Sequence, residues 1–303
     1  MSEMSSGRSK VLCLGRTYCD IIFTGLQEMP VLGRERFAQD VTITAGGGAY
    51  ITAAHLASLG RSSALLSRLG TDPLSQSLRP ELQASGVDLT YVEWSPDAGP
   101  QPTVALIKDS ERAFVSRRAG GSRPSTLEQA LSAQDVAHLH IAEFATLQDN
   151  PDVIAMARSF GLTVSLDPSW DDQLIHQNPN FFEICAGVDI FFPNAEEGKA
   201  LTGHDSAEDI IRTLRERFPL VVLKRGEHGA MASHGSTSIS AESLPVKVVD
   251  TTGAGDAFNA GFLHSWLKAP DLAASLSDGI KAGALSVQSA GGAPPHLLSS
   301  SPA

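Results

Sequence analysis

Residues 246–266 read VKVVDTTGAGDAFNAGFLHSW. Gly253 and Gly255 flank Ala254, so the backbone can turn tightly there and approach a ligand closely. Phe258, Phe262 and Trp266 recur at every fourth position, which predicts a helix beginning at this turn. Val246 to Val249 predicts a strand leading into it. Free N–H groups at a helix N-terminus suit a phosphate-like anion. Asp256 falls in the first helical turn, beside that cradle. A carboxylate next to an anion is costly unless it works. Here it could take the proton of an attacking hydroxyl while the N–H groups neutralise charge on a transferred phosphoryl group. The helix dipole alone also favours an aspartate at this place, so a lone GxGD leaves both readings open. The Asp250-Thr251-Thr252 prefix and the strand, turn and helix order add weight to the catalytic one.

The rest of the chain reads as alternating strands and helices. Short apolar runs at 11–14, 63–69, 138–141, 163–166, 189–192 and 220–223 predict strands, several of them buried on both faces. Helical patterns at 50–59, 74–85 and 152–160 lie between them, the first closed by Gly60 and the second by Gly86. Ser125 with Glu128 predicts a capping box. This order argues for an α/β fold, a parallel central sheet flanked by helices. Residues 19–24, 36–44 and 91–116 are strand-like without an intervening helix, and predict a small add-on sheet.

Composition bounds the rest. The 303 residues are 42% hydrophobic and 19% charged, within the globular range, and the length suffices for a sizeable core. A net charge of −11 disfavours nucleic acid and anionic membranes as partners. Cys13, Cys19 and Cys185 form neither a disulfide framework nor a zinc pattern, which fits a reducing cytoplasm. No apolar run reaches the ~20 residues of a membrane helix. Residues 1–10 are polar and Ser-rich, and read as a disordered start; residues 293–303 read as a loose tail.

DTTGAGDAFNAGF resembles the C-terminal signature of the ribokinase-like (PfkB) carbohydrate kinases, nearly unbroken over Asp250 to Phe262. The resemblance extends along most of the chain. Asp20 stands where that family places an aspartate that binds substrate hydroxyls. Gly46-Gly47-Gly48, followed by an Ala-rich helix and LASLG, resembles its N-terminal signature. Asn194 and Glu197 match its N-x-x-E, which organises magnesium and phosphate through water, and the KRGEHG segment with Lys224, Gly226 and Gly229 resembles the strand and turn beside the nucleotide.

The resemblance implies a single ribokinase-like domain over residues 11–292, with a β lid from about 16–44 and 91–118. It implies an ATP-dependent kinase acting on a hydroxyl of a small sugar-like substrate, with Asp256 as base and Gly253, Ala254 and Gly255 as anion hole. Thr251 joins the ATP-binding set. Mg2+ is expected to arrive with the phosphates rather than in an all-protein cage. The family often also uses K+ near the anion hole, with Asp250 and Thr252 as the candidate contributors here. Family members often pair through their lids, which would cover open strand edges in a homodimer.

The match departs from the family where an asparagine usually follows the N-terminal glycines and touches substrate. Ile51 holds that place, so a polar contact is missing or comes from elsewhere, and a nucleoside acceptor stands beside a sugar. Arg117 and Arg118, at the end of the lid, read either as anion-binding groups or as surface charge, and Asp167 as a strand-end residue outside the site. A dinucleotide-binding oxidoreductase is disfavoured because Phe258 occupies its third glycine position. A catalytically inactive sugar-binding protein is disfavoured by the intact GAGD turn.

Overall fold

The computed structural model describes residues 7–108, 111–171, 179–289 and 291–294. In chain order the strands are β1 (Lys10–Leu14), β2 (Tyr18–Thr24), β3 (Asp40–Gly46), β4 (Ser63–Leu66), β5 (Arg68–Leu69), β6 (Glu93–Trp94), β7 (Pro102–Lys108), β8 (Glu111–Ser116), β9 (Val136–Ile141), β10 (Thr163–Leu166), β11 (Ile190–Phe191), β12 (Leu220–Lys224), β13 (Ala230–His234) and β14 (Thr237–Ala241). Eight of them form the main sheet in the order β14-β13-β12-β11-β10-β9-β1-β4, parallel from β12 to β4. The β12–β13–β14 edge is antiparallel.

Alternation along β1 shows how the sheet is covered. Val11 and Cys13 pack into one core with the helices Gly48–Ser58 and Ala254–Trp266; Leu12 and Leu14 pack into a second core on the opposite face. All four are fully buried, so neither face of β1 meets water. From β1 the chain runs to β4 on one side, and later to β9 on the other. A crevice at the carboxyl ends of β1 and β9 is the usual ligand position of such a reversal.

A separate four-stranded sheet, β3-β2-β7-β8, stands apart from the main one. It takes in residues from both stretches expected to form it. Glu93–Trp94 instead pairs with Arg68–Leu69, and residues 36–39 are not strand. Asp20, Thr103 and Ser116 lie side by side across β2, β7 and β8, and Thr103 and Ser116 share a hydrogen bond of 3.0 Å. Two residues further along the strands, Ile22, Ala105 and Phe114 form the next row of the same face.

Several local expectations fail for identifiable reasons. Val246 to Val249 is not a strand: the β12–β13–β14 hairpin closes that edge, and Val248 and Val249 are each 57% exposed. The Ser125–Glu128 box does not form. The N–H of Ser125 donates to Glu93 Oε2 at 2.5 Å, and the helix starts later, at Leu127, without a side-chain cap. The helix expected over 74–85 is two short ones, Pro73–Ser77 and Arg79–Ala84. Lys10 belongs to β1 rather than to the leading segment, with its N–H bonded to the Asp135 carbonyl. Residues 1–6 and 295–303, within the segments expected to be disordered or loose, lie outside the described residues.

Candidate active site

The turn before the motif helix adopts the predicted conformation. Gly253 is the N-cap, at φ +71°, a left-handed conformation that disfavours any side chain. A Cβ there would meet Gly292 Cα at 2.6 Å and Ile51 Cδ1 at 3.2 Å. Ile51 is therefore buried beneath the turn, packed as support rather than presented as a polar contact. The N–H of Ala254 turns back to the Thr251 carbonyl at 3.3 Å. Those of Gly255 and Asp256 belong to the first helical turn and have no intrahelical acceptor.

The glycine run and the carboxylates meet. A Cβ on Gly46 would lie 1.9 Å from Asp20 Oδ2, and one on Gly48 would lie 2.7 Å from Asp256 Oδ1. Gly47, at φ +95°, would press a Cβ against the Arg16 carbonyl. Asp20 and Asp256 therefore approach the same short turn from opposite elements, one from β2 and one from the motif helix. Burial, then Glu81 and Asp250, pushes Asp20 up to about 7. Burial, then the charge of Asp167, pushes Asp256 up to about 7, with Lys224 pulling the other way. A base titrating near neutrality is what proton abstraction at physiological pH needs.

Lys224 ends β12 and points at the glycine turn: a Cβ on Gly255 would lie 3.3 Å from its Nζ. Burial opposes its charge, but Asp167 and Glu197 outweigh that and raise its pKa. Asp167, set aside by the sequence reading, is buried, forms an ion pair with Lys224 and accepts from Asn259 Nδ2 at 2.6 Å. Neither Asp167 nor Asn259 carried a spacing signal. The available hint was a carboxylate at the carboxyl end of an apolar parallel strand.

Asn194 and Glu197 form a capping box. Asn194 Oδ1 accepts from the Glu197 N–H at 2.9 Å, and Glu197 Oε2 accepts from the Asn194 N–H at 2.7 Å. Glu197 is buried, and burial, then Asp167, pushes it up to about 8 against the pull of Lys224. On the far side of the turn lies a cavity of about 620 Å³, bordered by Lys224, Gly226, Gly229, Thr251, Ala254 and Gly255 with an apolar wall that includes Phe258 and Ile280. Asn194 is not among its lining residues.

Asp250 holds the turn from behind. Its Oδ1 accepts from the Thr252 N–H at 2.9 Å and the Thr252 hydroxyl at 2.8 Å, and its Oδ2 from the Gly291 N–H at 3.0 Å. Arg112, reaching over from β8, donates to Asp250 Oδ1 at 3.0 Å and also contacts Thr251 and Thr252. Sequence reasoning gave no sign of Arg112. Arg117 and Arg118 are engaged elsewhere, with the Pro100 carbonyl and with Asp171.

This architecture has close counterparts. Residues 8–297 match the profile described as pfkB family carbohydrate kinase. The chain is 31% identical over 258 residues to the 2-dehydro-3-deoxygluconokinase of Bacillus subtilis, covering 78% of each. It is 29% identical over 273 residues to a nucleoside kinase of Methanothermobacter thermautotrophicus, covering 89% of this chain and 86% of the other. The structure of Arabidopsis thaliana ribokinase complexed with ribose and ATP superposes with a TM-score of 0.81 at 23% identity, covering 97% and 98% of the two chains. The chain belongs to the pfkB family of carbohydrate kinases, and is a sugar or nucleoside kinase of ribokinase-like fold. Among the described residues, no helix is long and apolar enough to cross a membrane.

Proposed function

We propose that the chain transfers the γ-phosphoryl group of ATP to a hydroxyl of a small polyol, with Asp256 as base. The carrying observation is that Asp256 and Asp20 converge on the Gly46–Gly48 turn while the 620 Å³ cavity opens on the other side of Gly255. An acceptor held between the carboxylates and a nucleotide in the cavity would meet at the GAGD turn. Asp20 orients acceptor hydroxyls. Asp256 takes the proton of the attacking hydroxyl as its oxygen bonds to the γ-phosphorus, and ADP departs with the bridging electron pair. The N–H groups of Gly255 and Asp256, with the ammonium of Lys224, neutralise charge on the phosphoryl oxygens. Gly226, Gly229 and Thr251 border the nucleotide.

Magnesium fits this donor set. Asp167, Glu197 and Asp256 surround a single lysine, so the site is short of positive charge, and the raised Glu197 would ionise readily beside a divalent cation. When bound, the ion supplies charge neutralisation at the phosphates. Glu197 would hold it through water, positioned by the Asn194 cap. A potassium ion fits less well. Both oxygens of Asp250 are engaged, and the guanidinium of Arg112 already supplies a positive charge there. The exposed Val41, Ile43 and Val115 lie on the face of the second sheet turned away from Asp20, and support pairing with a second copy. Sedimentation of Ile43→Lys at micromolar concentration checks this; an unchanged mass rules it out.

A coupled ADP-release assay with ATP and magnesium over sugars and nucleosides tests the activity. Turnover on one acceptor should fall by about 10² or more in Asp256→Asn. An Asp256→Asn variant as active as the wild type would remove Asp256 from the role of base.

A further inference from the structure

The relatives act on acceptors of opposite kinds, a sugar acid in one case and a nucleoside in another, going by their names. The charges around the acceptor place distinguish these kinds. Asp20 and Asp256 face it, and Glu81 stands behind Asp20, where its charge helps push that carboxyl up. The cations nearby are already committed. Arg16 donates to Gln101 Oε1 at 2.9 Å, to the carbonyls of Ala119 and Gly120, and to Asp149 at 2.9 Å. Arg118 pairs with Asp171 at 2.8 Å, Arg117 binds the Pro100 carbonyl, and Arg112 holds Asp250. Lys224 is paired with Asp167 and lies at the phosphoryl-transfer side. An acceptor carboxylate or phosphate would enter a negative field, and the better buried cations, Arg16, Arg112 and Lys224, would have to give up a carboxylate partner to meet it; Arg117 and Arg118 are held only at the exposed rim.

The lid face adds a second constraint. Phe114 shares its face with Asp20 and with Arg112, because Phe114 opposes Ala105, Ala105 lies beside Ile22, and Ser116 opposes Thr103 beside Asp20. Asp20 and Arg112 both reach the motif side of the molecule, so Phe114, between their rows, overhangs the same space. It is 56% exposed, while Ile22 and Ala105 beside it in the row are buried. A large aromatic ring left uncovered on the sheet face that carries Asp20 is suited to cover the apolar face of a ligand. Thr103 and Ser116, next to Asp20, offer hydroxyls at one end of that ligand and the ring an apolar surface at the other.

We propose that the acceptor is an uncharged polyol with an apolar face, and that Phe114 is the specificity residue that covers this face. This rests on the kinase reading above and narrows its substrate class. The test compares acceptors matched except for charge: fructose with fructose 6-phosphate, a nucleoside with its 5′-monophosphate or 3′-monophosphate, and a neutral hexose with 2-dehydro-3-deoxygluconate. The readouts are kcat/KM with ATP and magnesium, and calorimetric binding without nucleotide. The uncharged member should be favoured by at least about a hundredfold, as expected for a like charge near 4 Å from a carboxylate. Phe114→Ala should raise the acceptor KM about tenfold with the ATP KM unchanged, and Phe114→Tyr should restore it.

A charged acceptor used or bound as well as its neutral partner overturns the inference and leaves the kinase reading intact. Binding of uncharged acceptors without any turnover sinks the kinase reading and keeps the inference. If no uncharged compound is turned over or bound, or if Phe114→Ala leaves the acceptor KM unchanged, the inference falls.

Discussion

Asp256→Asn should stabilise the protein while destroying its activity, and the gain should depend on pH. In the unfolded chain the carboxyl titrates near its ordinary 3.8; in the fold it is held up to about 7, first by burial and then by Asp167. The folded state therefore keeps the proton that the unfolded state has released. The stability contributed by this group is full below pH 3.8 and is lost as pH rises to about 7. At about 1.4 kcal/mol per pH unit, the whole loss is on the order of 4 kcal/mol. The carboxyl opens onto the cleft, where water screens it, so that value is a ceiling. Asparagine never ionises and avoids the loss. Between pH 5 and pH 8 its advantage over the wild type should grow by about 2–3 kcal/mol, which for a chain of this size is about 4 °C in Tm. Calorimetric or dye-monitored melting of both proteins across that range measures it. Parallel curves, with the same difference at pH 5 and pH 8, would show that Asp256 is not strained by ionisation and would remove the physical basis for treating it as a tuned base.

The pH profile of kcat/KM should fall on the acid side with an apparent pKa near 7, shared between Asp256 and Asp20 rather than owned by either. Lys224→Met removes a charge that lowers Asp256, so that limb should move to higher pH; a limb that stays in place refutes the coupling. Gly48→Ala places a methyl group 2.7 Å from Asp256 Oδ1 and should cut kcat by about 10² with the circular dichroism spectrum unchanged. Glu197→Gln keeps an acceptor for the Asn194 N–H, so the fold should hold while the magnesium needed for half-maximal rate rises about tenfold.

The sequence was most legible where function is local. The GAGD turn carries its own conformational demand, since a cap at φ +71° needs glycine, and the apolar residues after it announce the helix. Asp20 and Gly46 are more than twenty residues apart, yet each was found through its own motif, and the fold brings them into contact. Asp167 and Arg112 illustrate the opposite case. Asp167 works because Lys224 and Asn259 come from two other elements, and Arg112 because a hairpin folds across to Asp250. No spacing within either segment records those meetings. The failed strand at 246–249 has the same origin: an apolar run resembles a strand until another hairpin takes the edge.

The way Asp250 is tied has a consequence for how the enzyme is made. The N–H groups of Val249 and Asp250 donate to the Val287 carbonyl, Asp250 Oδ2 accepts from the Gly291 N–H, and Gly292 packs against Gly253 while its carbonyl lies 3.0 Å from His55 Nε2. The turn before the motif helix is thus completed by residues translated some forty positions after it. A chain still being synthesised can have both sheets and Asp256 in place and yet lack the contacts that shape this turn. If this turn is the phosphate cradle proposed above, a chain cut short before Val287 is expected to be inactive even with Asp256 present.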